Sequence, residues 1–69
     1  MSGATYKSIE LVGTSPDSYA DATRRAVRRA SETMRDLRWF EVVEQRGHIA
    51  QGDVTEFQVR LRVWFSLES

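Results

Sequence analysis

Phe57-Gln58-Val59-Arg60-Leu61-Arg62-Val63-Trp64-Phe65-Ser66-Leu67 is the stretch that decides the fold. Every odd-numbered position in it is apolar, and every even-numbered position except Trp64 is polar. Alternation with a period of two is typical of a β-strand with one buried face. The stretch therefore predicts a long strand whose apolar set faces a core, with Gln58 and Trp64 on the opposite face.

A second strand is predicted just before this one. The run Trp39-Phe40-Glu41-Val42-Val43 is rich in aromatic and β-branched residues, and the pattern continues to about Ile49. The alternation is imperfect near Val43-Glu44, which leaves room for a β-bulge there. Gln51-Gly52-Asp53 has the composition of a turn, so the two strands are predicted to form a hairpin.

A first strand and one helix are predicted in the N-terminal half. Residues 6–12 alternate like a half-buried strand, which Gly13 and Thr14 end. Ser15-Pro16-Asp17 predicts a helix start, with Ser15 as the N-cap and Pro16 at the first helical position. The apolar stripe that follows has helical spacing and comprises Tyr19, Ala22, Ala26, Ala30, Thr33, Met34 and Leu37. No glycine or proline closes this pattern before the second strand.

The order strand, helix, strand, strand predicts a single α+β domain over residues 1–69. If the sheet is antiparallel throughout, the first strand pairs with the third, and the longest strand lies in the centre. The helix is expected to cover the apolar face of this three-stranded sheet. The opposite face, which carries Trp64, and the sheet edges stay open, which favours covering by other subunits. On that opposite face, Glu10 and Arg62 are expected to form an ion pair.

Composition limits the classes of function. A chain of 69 residues buries a small core and usually needs a disulfide, a metal or oligomerisation. It contains no cysteine and one histidine, His48, so oligomerisation is the expected stabiliser. The formal net charge is zero, which argues against nucleic acid as a partner. The sequence shows no signal peptide and no membrane span, so a cytoplasmic protein is expected.

The sequence resembles the dodecin family along essentially its whole length. The stretches that carry the resemblance are Ile9-Glu10-Leu11-Val12-Gly13-Thr14-Ser15, Trp39-Phe40-Glu41-Val42, Arg46-Gly47, Glu56-Phe57-Gln58-Val59 and Phe65-Ser66-Leu67. Each is short, but their order and spacing in a chain of this size are specific. Trp64 departs from the family pattern, in which a small residue is usual.

This resemblance implies a non-enzymatic flavin store. Dodecins are hollow shells of twelve identical subunits that bind pairs of flavins (FMN, riboflavin or FAD) at two-fold axes, and some also hold coenzyme A. By resemblance, Trp39 would stack on the flavin and quench its excited state, and Gln58 would bond its polar edge. Glu44 and Arg46 would reach the ribityl chain and phosphate. His48, two residues beyond Arg46, is expected beside that phosphate.

The residues themselves are consistent with this assignment and leave alternatives open. An indole is the most electron-rich aromatic side chain, so Trp39 suits an electron-poor isoalloxazine. The alternatives are a cofactor-free β-sheet module anchored by Trp39 and Trp64, and a sheet that binds single-stranded nucleic acid. An enzyme is the least favoured class, because no serine or acid motif surrounds His48.

Overall fold

Four elements form the protein in the predicted order. The structure is a computed structural model that describes residues 3–67. Strand β1 spans Thr5–Ser15, helix α1 Tyr19–Ser31, strand β2 Leu37–Ala50 and strand β3 Asp53–Leu67. The sheet is antiparallel with the order β1-β3-β2, so the longest strand lies in the centre as predicted.

The core lies between β3 and one stripe of α1. Val59, Leu61 and Val63 of β3 are buried, as the alternation predicted, and they pack against Ala22 and Ala26 of the helix. Alanines on the buried stripe let the helix approach the sheet closely, and Gly13 on β1 makes the closest approach. A Cβ atom at Gly13 would overlap the Ala22 carbonyl oxygen and lie 2.8 Å from the Ala26 Cβ.

The start of the helix differs from the prediction. Ser15 is the last residue of β1, and Ser18 is the N-cap, with its hydroxyl accepting from the Asp21 N–H at 2.9 Å. The Ser15 hydroxyl instead accepts from the Asp17 N–H at 2.9 Å and donates to the Asp21 carboxylate at 2.7 Å. Ser15 is thus occupied in holding the connection between strand and helix, and the helix begins one turn later.

The end of the helix also differs. The apolar stripe extended to Leu37, but α1 ends at Ser31. Leu37 pairs opposite Phe65 in the sheet, and the Ser66 N–H donates to the Asp36 carbonyl at 3.1 Å. Asp36 turns the chain with φ 62°, a left-handed conformation that aspartate adopts more readily than most residues. Leu37, which helical spacing alone assigned to the helix, therefore belongs to strand β2.

A bulge interrupts β2 where the pattern allowed one. Val42 pairs with Leu61 and Glu44 pairs with Arg60, so Val43 is the extra residue. Two further register shifts lie between Leu37 and Trp39 and between His48 and Ile49. We call the face of the sheet away from α1 the outer face. The Val43 bulge changes which positions of β2 lie on it: Trp39 and Glu41 before the bulge, then Glu44, Arg46 and His48 after it.

The helix packs against β1 and β3 and leaves the inner face of β2 largely uncovered. Phe40 is 50% exposed and Ile49 is 68% exposed, although both are large and apolar. A cavity of about 540 Å³ lies between the helix and Phe40, and Val27 forms part of its wall. Within residues 3–67, no helix is long and apolar enough to cross a membrane.

Candidate functional site

Three aromatic rings meet at one end of the outer face. Trp39 pairs directly opposite Trp64, and their ring centroids are 6.2 Å apart with an interplanar angle of 25°. Tyr6 of β1 also contacts Trp39, with centroids 4.7 Å apart at a tilt of 53°. Tyr6 and Trp39 lie on the two edge strands, and their rings meet above the central strand β3. The β3 residue opposite Tyr6 is the small Ser66.

Trp39 is the most exposed large ring of this cluster. Its residue surface is 48% exposed, whereas Trp64 is partly buried. The indole N–H of Trp64 donates to the Glu41 carboxylate at 3.1 Å. The cluster therefore presents an exposed indole beside a second indole that has its own hydrogen bond.

A belt of ion pairs crosses the middle of the outer face. Arg62 lies 3.9 Å from Glu10 and 3.7 Å from Glu41, while Arg60 lies 3.5 Å from Glu10 and 3.3 Å from Glu44. The predicted Glu10–Arg62 contact is present, and the shorter contact of Glu10 is with Arg60. All of these side chains are more than 40% exposed, so each pair contributes only about 0–1 kcal/mol.

A polar chain occupies the far end of the outer face. The Arg46 Nε–H donates to the Gln58 side-chain oxygen at 2.6 Å, and the Gln58 side-chain nitrogen donates to Glu56 at 2.8 Å. An amide side chain has two acceptor sites and two donor hydrogens. Gln58 therefore keeps one acceptor and one donor free, with an orientation that its neighbours hold.

His48 lies beyond Arg46 on the same face and contacts Thr55. Its Nδ1 is 3.0 Å from the Thr55 hydroxyl, which donates to the His48 carbonyl at 3.2 Å. The Thr55 hydroxyl thus engages Nδ1, whichever of the two groups donates. Nε2 then remains available to a ligand.

The predicted site residues form two separate groups within one chain. Glu44, Arg46, His48 and Gln58 lie towards one end of the outer face, and Trp39 lies at the other, opposite Trp64. Trp64 and Gln58 are six residues apart on β3, about 20 Å at the usual rise of a strand. No single flavin ring spans that distance, so one chain alone does not complete the predicted site.

Sequence reasoning missed three neighbours of these residues. The sequence pattern places Tyr6 only in the first strand and Glu56 only in a stretch that carries the family resemblance, and it gives Thr55 no role. Glu56 could have been found, because it shares the even-numbered face of β3 with Gln58. Tyr6 and Thr55 depend on the register and on the shift after His48, for which the sequence pattern gave no signal. Among residues 3–67, no group of three or more histidine, aspartate or glutamate side chains is placed to hold a metal ion.

Comparisons with known proteins agree on one family. The family model described as Dodecin matches residues 5–68. The Dodecin of Thermus thermophilus is 50% identical over 66 residues, which cover 96% of each chain. The Calcium dodecin of Mycobacterium tuberculosis is 33% identical over 64 residues, or 93% of this chain and 90% of that one. The solved dodecin structure from Streptomyces coelicolor has a TM-score of 0.93 and 52% identity, covering 100% and 99%.

Proposed function

The chain belongs to the dodecin family, and from that premise we propose that it is a non-enzymatic, cytoplasmic flavin store that binds its ligand between subunits. The ligand is FMN, riboflavin or FAD. Trp39 provides the stacking surface, and Gln58 provides the polar contact. The observation that carries this proposal is the exposed Trp39 indole in an aromatic cluster on the uncovered face of the sheet.

The available side chains fit the chemistry of a flavin. Isoalloxazine is flat and electron-poor, and a half-exposed indole offers it an electron-rich surface of comparable shape. The free donor and acceptor of the Gln58 amide match the alternating acceptors and donors of the flavin's pyrimidine edge. When bound, the flavin supplies a ring system that accepts an electron in its excited state, and a stacked indole is a suitable donor for quenching it.

The polar end of the outer face suits the ribityl phosphate. The planar guanidinium of Arg46 binds phosphate oxygens through two parallel hydrogen bonds, although Gln58 already accepts from its Nε–H. The carboxylate of Glu44 is available to ribityl hydroxyls while it pairs with Arg60. His48 offers Nε2 at the same end of the face.

The distance between the two groups supports a site shared by two chains. Trp39 and Gln58 of one chain are too far apart to contact one ring, so the proposal pairs Trp39 of one subunit with Gln58 of another. The uncovered inner face of β2 supports assembly for an independent reason, because exposed apolar patches of this kind mark association surfaces. We propose a closed homo-oligomer of twelve chains.

Titration of the purified protein with FMN and riboflavin tests this proposal. We expect quenching of flavin fluorescence that saturates, and native mass spectra in which flavins add to the assembled protein and not to the monomer. An assembly that leaves flavin fluorescence unchanged would contradict flavin binding and favour the cofactor-free sheet module. A monomer that binds flavin would contradict the shared site.

A further inference from the structure

Trp64 and Glu41 form a two-residue support behind the proposed stacking surface. Trp64 lies directly across from Trp39, with ring centroids 6.2 Å apart and planes 25° from parallel. Its indole N–H donates to Glu41 at 3.1 Å. Glu41 is two residues beyond Trp39 on the same face of β2, so hydrogen bond and ring contact connect the same two strands.

This arrangement restrains the ring of Trp64. A hydrogen bond to a carboxylate is stronger than one between neutral groups, and it fixes the orientation of the ring as well as its position. Glu41 is itself held in place by Arg62, 3.7 Å away on β3. The Glu41 carboxylate therefore accepts the hydrogen bond of the indole while it forms an ion pair with the Arg62 guanidinium.

A restrained Trp64 restrains Trp39 in turn. Offset-stacked rings with centroids 4.5–7 Å apart attract each other beyond their buried area, and the 6.2 Å pair lies within that range. Trp39 is 48% exposed, and an exposed side chain without such a neighbour exchanges rotamers readily. Tyr6 also contacts Trp39, with centroids 4.7 Å apart at a tilt of 53°, so Trp64 and Tyr6 together restrain the ring, and Trp64 is the neighbour nearly parallel to it.

We propose that Trp64 and Glu41 are positioning residues that hold the Trp39 indole in the orientation needed to stack on the ligand. The inference rests on the proposed flavin site, which it deepens. It gives Trp64, the residue that departs from the family pattern, a role in ligand affinity. Preorganising a binding surface increases affinity by lowering the entropy lost on binding, so the pair acts through Trp39 without touching the ligand.

Glu41→Leu tests the proposal first in the flavin-free protein. The chain contains two tryptophans, so the part of the indole exciton coupling in the circular dichroism spectrum that Trp64→Phe removes reports on contacts of the Trp64 ring. We expect a coupled signal in the wild-type protein that Glu41→Leu weakens. Glu44→Leu is the matched control, because Glu44 pairs with Arg60 and is not the acceptor of the indole N–H. Glu41→Gln, which keeps an acceptor oxygen, should preserve the signal.

Flavin affinity provides the second measurement. We use riboflavin, because it carries no phosphate that the changed charge could attract or repel. Glu41→Leu and Trp64→Phe should each raise its Kd by about tenfold, the equivalent of about 1.4 kcal/mol, while Glu41→Gln binds nearly as tightly as wild type.

The two measurements separate the inference from the function on which it rests. An unchanged exciton signal in Glu41→Leu would overturn the positioning role, whether or not flavin binds. If the wild-type protein binds riboflavin and both Trp64→Phe and Glu41→Leu bind it with the same affinity, the positioning role is also overturned. A wild-type protein that binds no flavin would contradict the proposed function, and with it the effect on the ligand.

Discussion

Gln58 illustrates what single residues in this sequence reveal. The alternation of β3 predicted that it faces away from the core, and the register with Arg46 confirms that face. Its bonds to Arg46 and Glu56 were not foreseen, because pairing across strands requires a register that the sequence left open at the bulge. Its contact with flavin stays a prediction, as do the roles of Trp39, Arg46 and the other proposed ligand contacts.

Trp39→Ala is expected to remove most of the flavin affinity. Stacking of a base on an aromatic side chain is worth about 1–3 kcal/mol, and the larger isoalloxazine should gain at least as much, so the Kd should rise by at least about 5- to 150-fold. Fluorescence titration measures the change. Far-UV circular dichroism controls for folding, since the exposed indole contributes little to the core. A folded variant with wild-type affinity would move the stacking surface to another residue.

Binding of FMN should depend on pH where binding of riboflavin does not. A phosphate dianion beside Nε2 of His48 favours the protonated imidazole, so FMN binding should take up a proton and tighten as the pH falls through about 7. Near pH 6 the phosphate itself gains a proton, which limits the gain. Titrating both flavins between about pH 5.5 and about 8 checks this. Parallel curves for the two ligands, or an unchanged difference in His48→Asn, would remove His48 from the site.

At the scale of elements, the sequence predicted the strands better than the ends of the helix. Alternation in β3 and the turn after β2 correspond directly to backbone geometry, so the hairpin and the central strand are confirmed. The start of α1 was wrong because two serines near Pro16 were both suitable caps, and the choice of Ser18 depends on the bond between Ser15 and Asp21. The end was wrong because helical spacing cannot register that Leu37 pairs in the sheet.

Gly13→Ala should destabilise the contact between α1 and β1. The added methyl group would meet the Ala22 carbonyl, which belongs to the helix backbone and cannot rotate away. Overpacking of this kind typically costs about 1–3 kcal/mol, measurable as a loss of unfolding free energy in denaturant. Gly3→Ala is the matched control, since nothing lies within 4 Å of a Cβ there. Equal stability of the two variants would contradict the tight helix–sheet contact.

The connection between β1 and α1 should lose stability in acid. The pKa of Asp21 lies below its ordinary value, chiefly because the Ser15 hydroxyl donates to it and also because Arg25 is 2.7 Å away. A carboxyl whose pKa is lowered on folding stabilises the fold above its unfolded pKa of about 3.9. That contribution disappears as the pH falls through the lower, folded value.

Comparing Asp21→Asn with wild type tests this linkage. The variant should be less stable at neutral pH, and the difference should shrink as the pH falls below about 4. Asp17→Asn is the control, because the Asp17 side chain forms no hydrogen bond or ion pair with residues 3–67. A stability difference that stays constant down to about pH 2 would show that the charge of Asp21 does not matter.

The protein is elongated rather than spherical, with principal extents of 58 × 20 × 13 Å. Its radius of gyration is 14.5 Å, against about 11 Å for a compact domain of 69 residues. Its accessible surface is 5198 Å², compared with about 4,450 Å² for a compact monomer of 8.0 kDa. The short length and the lack of cysteine indicated oligomerisation from the sequence. The uncovered inner face of β2 could not be predicted, because it depends on the position of the helix over β1 and β3.

Sedimentation and native mass spectrometry should find twelve chains in the wild-type protein. Phe40→Glu places a charge on the uncovered inner face of β2, where burial against another subunit would be costly, and should yield smaller species. Arg29→Gln is the control, because the Arg29 side chain is 86% exposed on the helix. A monomer or dimer over a wide range of wild-type concentration, or a Phe40→Glu protein that assembles normally, would contradict this picture.

The bulge at Val43 has a consequence for how the length of β2 can vary. Trp39 and Arg46 are seven positions apart, an odd number that would put them on opposite faces of a regular strand; the extra residue restores a common face. A deletion of one residue between them could be absorbed by straightening the bulge, which leaves both side chains where they are. An insertion of one residue cannot be absorbed by the existing bulge. It would turn Arg46 towards the helix side unless a second bulge formed. Between Trp39 and Arg46, strand β2 therefore tolerates a one-residue deletion better than a one-residue insertion.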